Sequence, residues 1–140
     1  MLNRFLQQLQ CDFSVMISPK MFEEFVLPEL EAICGWLDYS VYHLDGQEQI
    51  AHLDYILSVK RLNAIQWTYI ISQPNVSNFI PVFKKIQRAG KNLILMPHIS
   101  EVEILMRNLS SRGLQLIVCG IANKAEAIEI ERKVAKWTKE

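Results

Sequence analysis

Five times along the chain a short apolar run is followed by a stretch patterned at helical spacing, with no linker or low-complexity segment between them. The runs are Leu9–Phe13, Ser40–Asp45, Asn63–Trp67, Asn92–Met96 and Leu114–Cys119. Strands separated by a helix return through crossovers rather than tight hairpins, so the alternation predicts a parallel sheet with right-handed connections. The runs read as apolar rather than alternating, as expected when helices cover the sheet. The expectation is therefore one α/β domain over residues 1–140, built of five parallel βα units. A chain of 140 residues is long enough to bury a core of its own.

Local signals mark where the helices begin and end. Ser18-Pro19 reads as an N-cap followed by a first helical residue, because proline's missing N–H costs nothing there. Phe22, Val26, Leu30, Ile33 and Leu37 follow at helical spacing, and Pro28 predicts a kink or break. A second helix is expected from about Gln47 to Ser58. Ser77 or Asn78 is expected to cap a third, closed by Gly90 at the position after the C-cap. Ser100 and Glu103 have the spacing of a capping box, and Asn123 with Glu126 repeats it before the last helix. Trp36 and Trp137 fall on helical stripes and read as core.

Charge and cysteine content restrict the function classes. Basic and acidic residues are equal in number, so no basic face is implied and nucleic acid or an anionic membrane is a poor partner. The three cysteines, Cys11, Cys34 and Cys119, are too few and scattered for a disulfide framework, and a cytoplasmic location is expected. No run approaches the roughly 20 apolar residues of a membrane span. Met1–Gln10 also lacks the apolar stretch of a signal peptide.

In parallel α/β folds, sites form where strands end and run into helices. Those positions hold Asp12 and Ser14, His43 and Asp45, Gln66 and Trp67, His98, and Cys119. A histidine, a second ligand two residues on and a distant cysteine can hold Zn²⁺ with a fourth position open, which makes His43, Asp45 and Cys119 a candidate metal set. Zinc so held would lower the pKa of a bound water or thiol. Each residue also has a structural reading. His43 and Asp45 share a face and could bond one another, and Asp45-Gly46 is a common turn pair. Cys119 reads equally as a small core hydrophobe. His98 reads as a loop residue, Gln66 and Trp67 as capping and core groups, and His52 as a surface or packing residue. No phosphate loop, dinucleotide glycine motif or serine nucleophile elbow is present.

The run L-Q-C-D-F-S-V-M-I-S-P-K-M-F-E-E-F-V-L-P-E-L over Leu9–Leu30, with Y-H-L-D-G, A-I-Q-W and K-K-I-Q-R-A-G-K further on, resembles the C-terminal half of uroporphyrinogen decarboxylase-like proteins. That superfamily also contains cobalamin-dependent methyltransferases acting on thiols. The resemblance implies a wall of a (β/α)₈ TIM barrel, with this chain as roughly its last half. Asp12 and Ser14 then match a substrate-facing Asp-Ser stretch and are the catalytic candidates, with Gln66, Trp67 and His98 as substrate contacts. His43 matches the histidine of a zinc-binding His-x-Cys pair, Asp45 stands where that cysteine would be, and Cys119-Gly120 resembles the later Cys-Gly. Where relatives carry a glycine-rich loop, this chain has Tyr69-Ile70-Ile71-Ser72.

The activity so implied is methyl transfer from a corrinoid to a zinc-activated thiol, in a truncated or divergent member of the superfamily. A small-molecule substrate or a corrinoid protein would be its partner. The competing expectation is a non-catalytic half-barrel serving as an oligomeric or interaction module. A half-barrel has two open sheet edges. It would either relax into a doubly wound, flavodoxin-like five-stranded sheet or pair with a second copy, so a homo-oligomer is expected.

Overall fold

A computed structural model describes residues 5–68 and 75–138. Five strands form one fully parallel sheet: β1 Leu6–Gln10, β2 Tyr39–Leu44, β3 Ala64–Trp67, β4 Asn92–Leu95 and β5 Leu114–Leu116. They stand in chain order, β1-β2-β3-β4-β5, each pairing with the strand before it. The parallel α/β expectation holds, and the order decides its form. A doubly wound sheet reverses its strand order at a switch point. None occurs here, so successive crossovers of one hand stack their helices on one side, as in a barrel wall.

Burial agrees with this one-sided arrangement. Tyr42, Leu44, Ile65, Trp67, Leu93 and Leu95 form a single apolar cluster with Phe22, Leu30, Ile56, Phe83, Ile86 and Leu105 from the helices. The opposite sheet face aligns Gln8 with Val41, His43 with Gln66, Gln66 with Ile94, and Ile94 with Gln115, and none of these belongs to the cluster. The expectation of apolar, non-alternating strands is thus corrected. The strands alternate because only one face has a helix layer.

The helices are α1 Pro19–Met21, α2 Leu27–Trp36, α3 Leu53–Ser58, α4 Ile80–Arg88, α5 Val102–Asn108 and α6 Lys124–Trp137. Ser18 caps α1 as expected, its Oγ accepting from Met21 N–H at 3.2 Å. Pro28 does not break the helix. A π-helical turn over Phe22–Val26 joins α1 to α2, with Leu27 N–H bonding Phe22 carbonyl. The widened turn absorbs the bond that Pro28 cannot donate. Gly90, at φ 75°, follows the C-cap of α4. Asn123 accepts from Glu126 N–H while Glu126 reaches back to Ala122 N–H.

Two expected caps are replaced. A 3-10 turn over Val76–Phe79 starts before Ser77 and Asn78 and relieves them of the role. His98, rather than Ser100, caps the turn leading into α5, while Glu103 pairs instead with Arg107. The first strand also lies earlier than Leu9–Phe13, because the chain turns into a 3-10 segment at Asp12–Met16. Trp36 is not core. It is 72% exposed and stacks on Phe5.

Behind the sheet, Lys91 is nearly buried, and its ammonium donates to the carbonyls of Val59 at 2.6 Å and Leu62 at 2.8 Å. It thereby ties down the turn after α3, where Val59 carbonyl also accepts from Leu62 N–H at 3.2 Å. Packing is uneven from one edge to the other: α6 has no fully buried residue, although it is the longest helix. Among the described residues no helix is long and apolar enough to cross a membrane.

Candidate functional site

β1 and β2 are neighbours, so the loops leaving their C-terminal ends lie side by side on one rim. Asp12 opens the 3-10 turn after β1, His43 is the penultimate residue of β2, and Asp45 follows that strand. One ligand atom from each of the three lies within 4.8 Å of the others. His43 Nε2 and Asp45 Oδ1 are 4.0 Å apart, too long for a hydrogen bond. Two ligands at about 2.0–2.2 Å from one tetrahedral ion stand roughly 3.3–3.6 Å apart, so the pair would close by a few tenths of an ångström on a shared cation.

The imidazole is oriented from its other side. Gln66 Oε1 lies 3.1 Å from His43 Nδ1 and accepts from Gln8 Nε2 at 2.9 Å. Gln8 Nε2 also lies 3.1 Å from Nδ1, and Nε2 stands between Thr68 Oγ1 at 3.3 Å and Asp45 Oδ1 at 4.0 Å. Thr68 Oγ1 lies 3.1 Å from the same Nδ1. These contacts fix the plane of the ring. Gln10 Nε2 donates to Asp12 Oδ2 at 3.2 Å and fixes the second carboxylate.

Beneath the rim, Gln49 is fully buried and joins the two loops. Its Oε1 accepts from Asp45 N–H, and its Nε2 donates to Cys11 carbonyl, both at 3.1 Å. His52 makes a second clamp, with Nε2 donating to Ser14 carbonyl at 2.9 Å while the ring stacks on Phe22. Glu101, also buried, accepts from Ser77 N–H and supports the rim on its far side. None of these residues was singled out from sequence as a site group. A polar side chain in a helix's first turns looks like surface until the tertiary fold buries it.

Ser14, expected to face substrate, is instead fully buried, with its side chain beside the Tyr42 hydroxyl. Burial pushes the Tyr42 phenol well above its ordinary range and raises the Cys11 thiol, with Asp12 and Glu29 adding to the latter effect. Cys11 is therefore a poor thiolate despite its nearness to the rim.

Of the expected substrate contacts, Gln66 belongs to the rim network. Trp67 points into the core, against Phe79 and Phe83. His98 lies on the far side of the rim, its Nδ1 bonded to Ser100 Oγ at 2.8 Å and its backbone bridged to Cys119. Those two residues line a cavity of about 390 Å³ with Met96 and Glu101. Gly120, at φ 80°, lies directly under the His98 ring, where any Cβ would collide with it.

Cys119 is exposed and is not gathered with Asp12, His43 and Asp45. Three inter-strand steps of about 4.8 Å separate β2 from β5, roughly 14 Å across the sheet. The expected His43, Asp45, Cys119 set is therefore not assembled in one chain, whereas Asp12 joins the pair in its place. The apolar stretch Tyr69-Ile70-Ile71-Ser72, expected to replace a glycine-rich loop, lies outside the described residues.

No protein-family model, no curated protein and no solved structure matches the chain.

Proposed function

We propose that this chain carries a divalent-cation site at Asp12, His43 and Asp45, and that it acts there on a small polar molecule bound over the helix-free face of the sheet. The convergence of the three ligand atoms from adjacent strand ends carries this reading. One imidazole and two carboxylates form a nitrogen- and oxygen-donor set, suited to Zn²⁺, Mn²⁺ or a similar ion. A thiol-activating site with a cysteine ligand fits these residues poorly, so no methyl-transfer step and no corrinoid step is assigned.

When bound, such an ion polarises a carbonyl or carboxylate and acidifies water. The chain's own residues hold and orient the reactants. Gln8 and Gln66 fix the imidazole, Gln10 fixes Asp12, and Gln49 sets the spacing of the two loops. His43 Nε2, beside Asp45, is placed to take or return a proton where the cation is absent or remote. The amides of Gln8, Gln66 and Gln115 offer donors and acceptors to hydroxyl or carbonyl groups of a substrate on the same face.

Calorimetric titration of metal-free protein with Zn²⁺ and Mn²⁺ tests the site. One equivalent should bind, and His43→Ala or Asp12→Asn should abolish it while circular dichroism stays unchanged. Stoichiometric binding that survives both substitutions, or none in the parent protein, would sink the proposal. A second reading, a non-catalytic module, draws support from the edges at β1 and β5, unpaired among the described residues, and the exposed apolar side chains beside β1. Absence of cation binding together with stable self-association would favour it.

A further inference from the structure

The cavity of about 390 Å³ at the ends of β4 and β5 has the volume of a small-molecule site. Asp12, His43 and Asp45 do not line it, and the cation site makes no use of it. Its walls are fixed by the backbone. Ile99 N–H donates to Cys119 carbonyl and Cys119 N–H to Pro97 carbonyl, both at 2.9 Å, so the segments after the two strands stay paired as a parallel bridge. His98 Nδ1 accepts from Ser100 N–H at 3.3 Å, and the imidazole lies over Gly120, where a side chain would strike it.

Glu101 is the odd member of this lining. It is only 8% exposed, and its carboxylate has one partner among the described residues, Ser77 N–H, which donates to Oε1 at 2.8 Å. Among the described residues it takes part in no ion pair, and no lysine or arginine lines the cavity. A carboxylate taken out of water needs a counter-charge and several donors to offset the lost hydration. One amide N–H fills a single lone pair of the four or so available. Val76 and Met96 add apolar surface to the same space.

We infer that this cavity binds a small molecule carrying a protonated primary amine on a short aliphatic chain, with Glu101 as its counter-ion. The ammonium donates to the carboxylate in a charge-assisted bond and brings the positive charge that the lining lacks. The aliphatic chain lies against Val76 and Met96. A carboxylate or phosphate ligand meets Glu101 with like charge, and an alcohol offers a hydrogen bond without a counter-charge. The inference stands independently of cation binding at Asp12, His43 and Asp45.

Titration of the full chain, without added metal and at neutral pH, with n-butylamine, n-butanol and butyrate tests it in amide NMR spectra. The three probes share a chain of similar length and differ in charge. n-Butylamine should shift the Ser77 and Ser100 amides saturably at millimolar concentration, and the other two should leave them in place. Glu101→Gln keeps an oxygen to accept from Ser77 N–H but removes the charge. It should therefore weaken amine binding roughly tenfold or more, with circular dichroism unchanged. Zn²⁺ titration of this variant should match the parent, which separates the cavity from the rim. Equal shifts with butanol or butyrate would overturn the inference, as would amine binding that survives Glu101→Gln. No saturable shift at tens of millimolar amine would overturn it equally. If Glu101→Gln does not fold, the comparison of the three probes on the parent protein decides alone.

Discussion

The centre of the sheet and its β5 edge use similar residues to different effect. Around β2 and β3, Tyr42, Leu44, Ile65 and Trp67 are sealed beneath Phe22, Ile56 and Phe83. At the edge, Leu114 and Leu116 of β5 and Ile130 and Val134 of α6 are apolar too, yet all four remain only partly buried around an open cavity of about 390 Å³. The difference lies in the number of neighbours rather than in composition. An inner strand is covered by the helices on either side of it, whereas among the described residues β5 pairs with β4 alone. Asp12, His43 and Asp45 stand over buried Gln49 and His52, which tie their loops together.

Substitutions in the two regions should break or sharpen this contrast. Trp67→Ala, in the packed centre, should cost about 3–5 kcal/mol in urea unfolding, because it empties the space between Phe79 and Phe83. An unchanged midpoint would show that the centre is no tighter than the edge. Lys91→Met should cost about 2 kcal/mol, since Leu62 carbonyl would lose its Lys91 donor and Val59 carbonyl would keep only the Leu62 N–H. Gln49→Ala should cost only about 1 kcal/mol of stability but weaken cation binding about tenfold, by freeing the two rim loops from each other. Equal affinity in parent and variant would remove Gln49 from the site. Val134→Ala on α6 should cost about 0.5 kcal/mol in dilute monomeric protein. A loss there as large as at Trp67 would erase the distinction.

What could be read from the sequence follows the same division between local and lateral information. Ser18-Pro19, Gly90 and Asn123 with Glu126 act through bonds to residues a few positions away, so their roles were visible before any fold was known. The rule that sites lie at strand ends picked out Asp12, His43 and Asp45, because parallel strands put all their C-terminal ends on one rim. The rule contains no lateral distance. It therefore grouped Cys119 with His43 as readily as Asp12, although β5 stands at the far edge. It also could not tell which face of a strand end looks outward, and so counted Trp67 and Ser14 among site residues. Gln49, Lys91 and Glu101 carry no signal of their own, because only long-range contacts make them interior.

The strand order also bears on how the chain acquires its structure. Every strand pairs with its immediate predecessor, so the sheet needs no contact that waits for a distant part of the sequence. Pairing each strand with its predecessor keeps every loop closure as short as a parallel crossover allows, which limits the chain entropy lost before each pairing. On the ribosome, each βα unit can join the growing edge as soon as it emerges. The rim formed by Asp12, His43 and Asp45 would then be complete once β2 and the first turn of the helical segment after it have been synthesised.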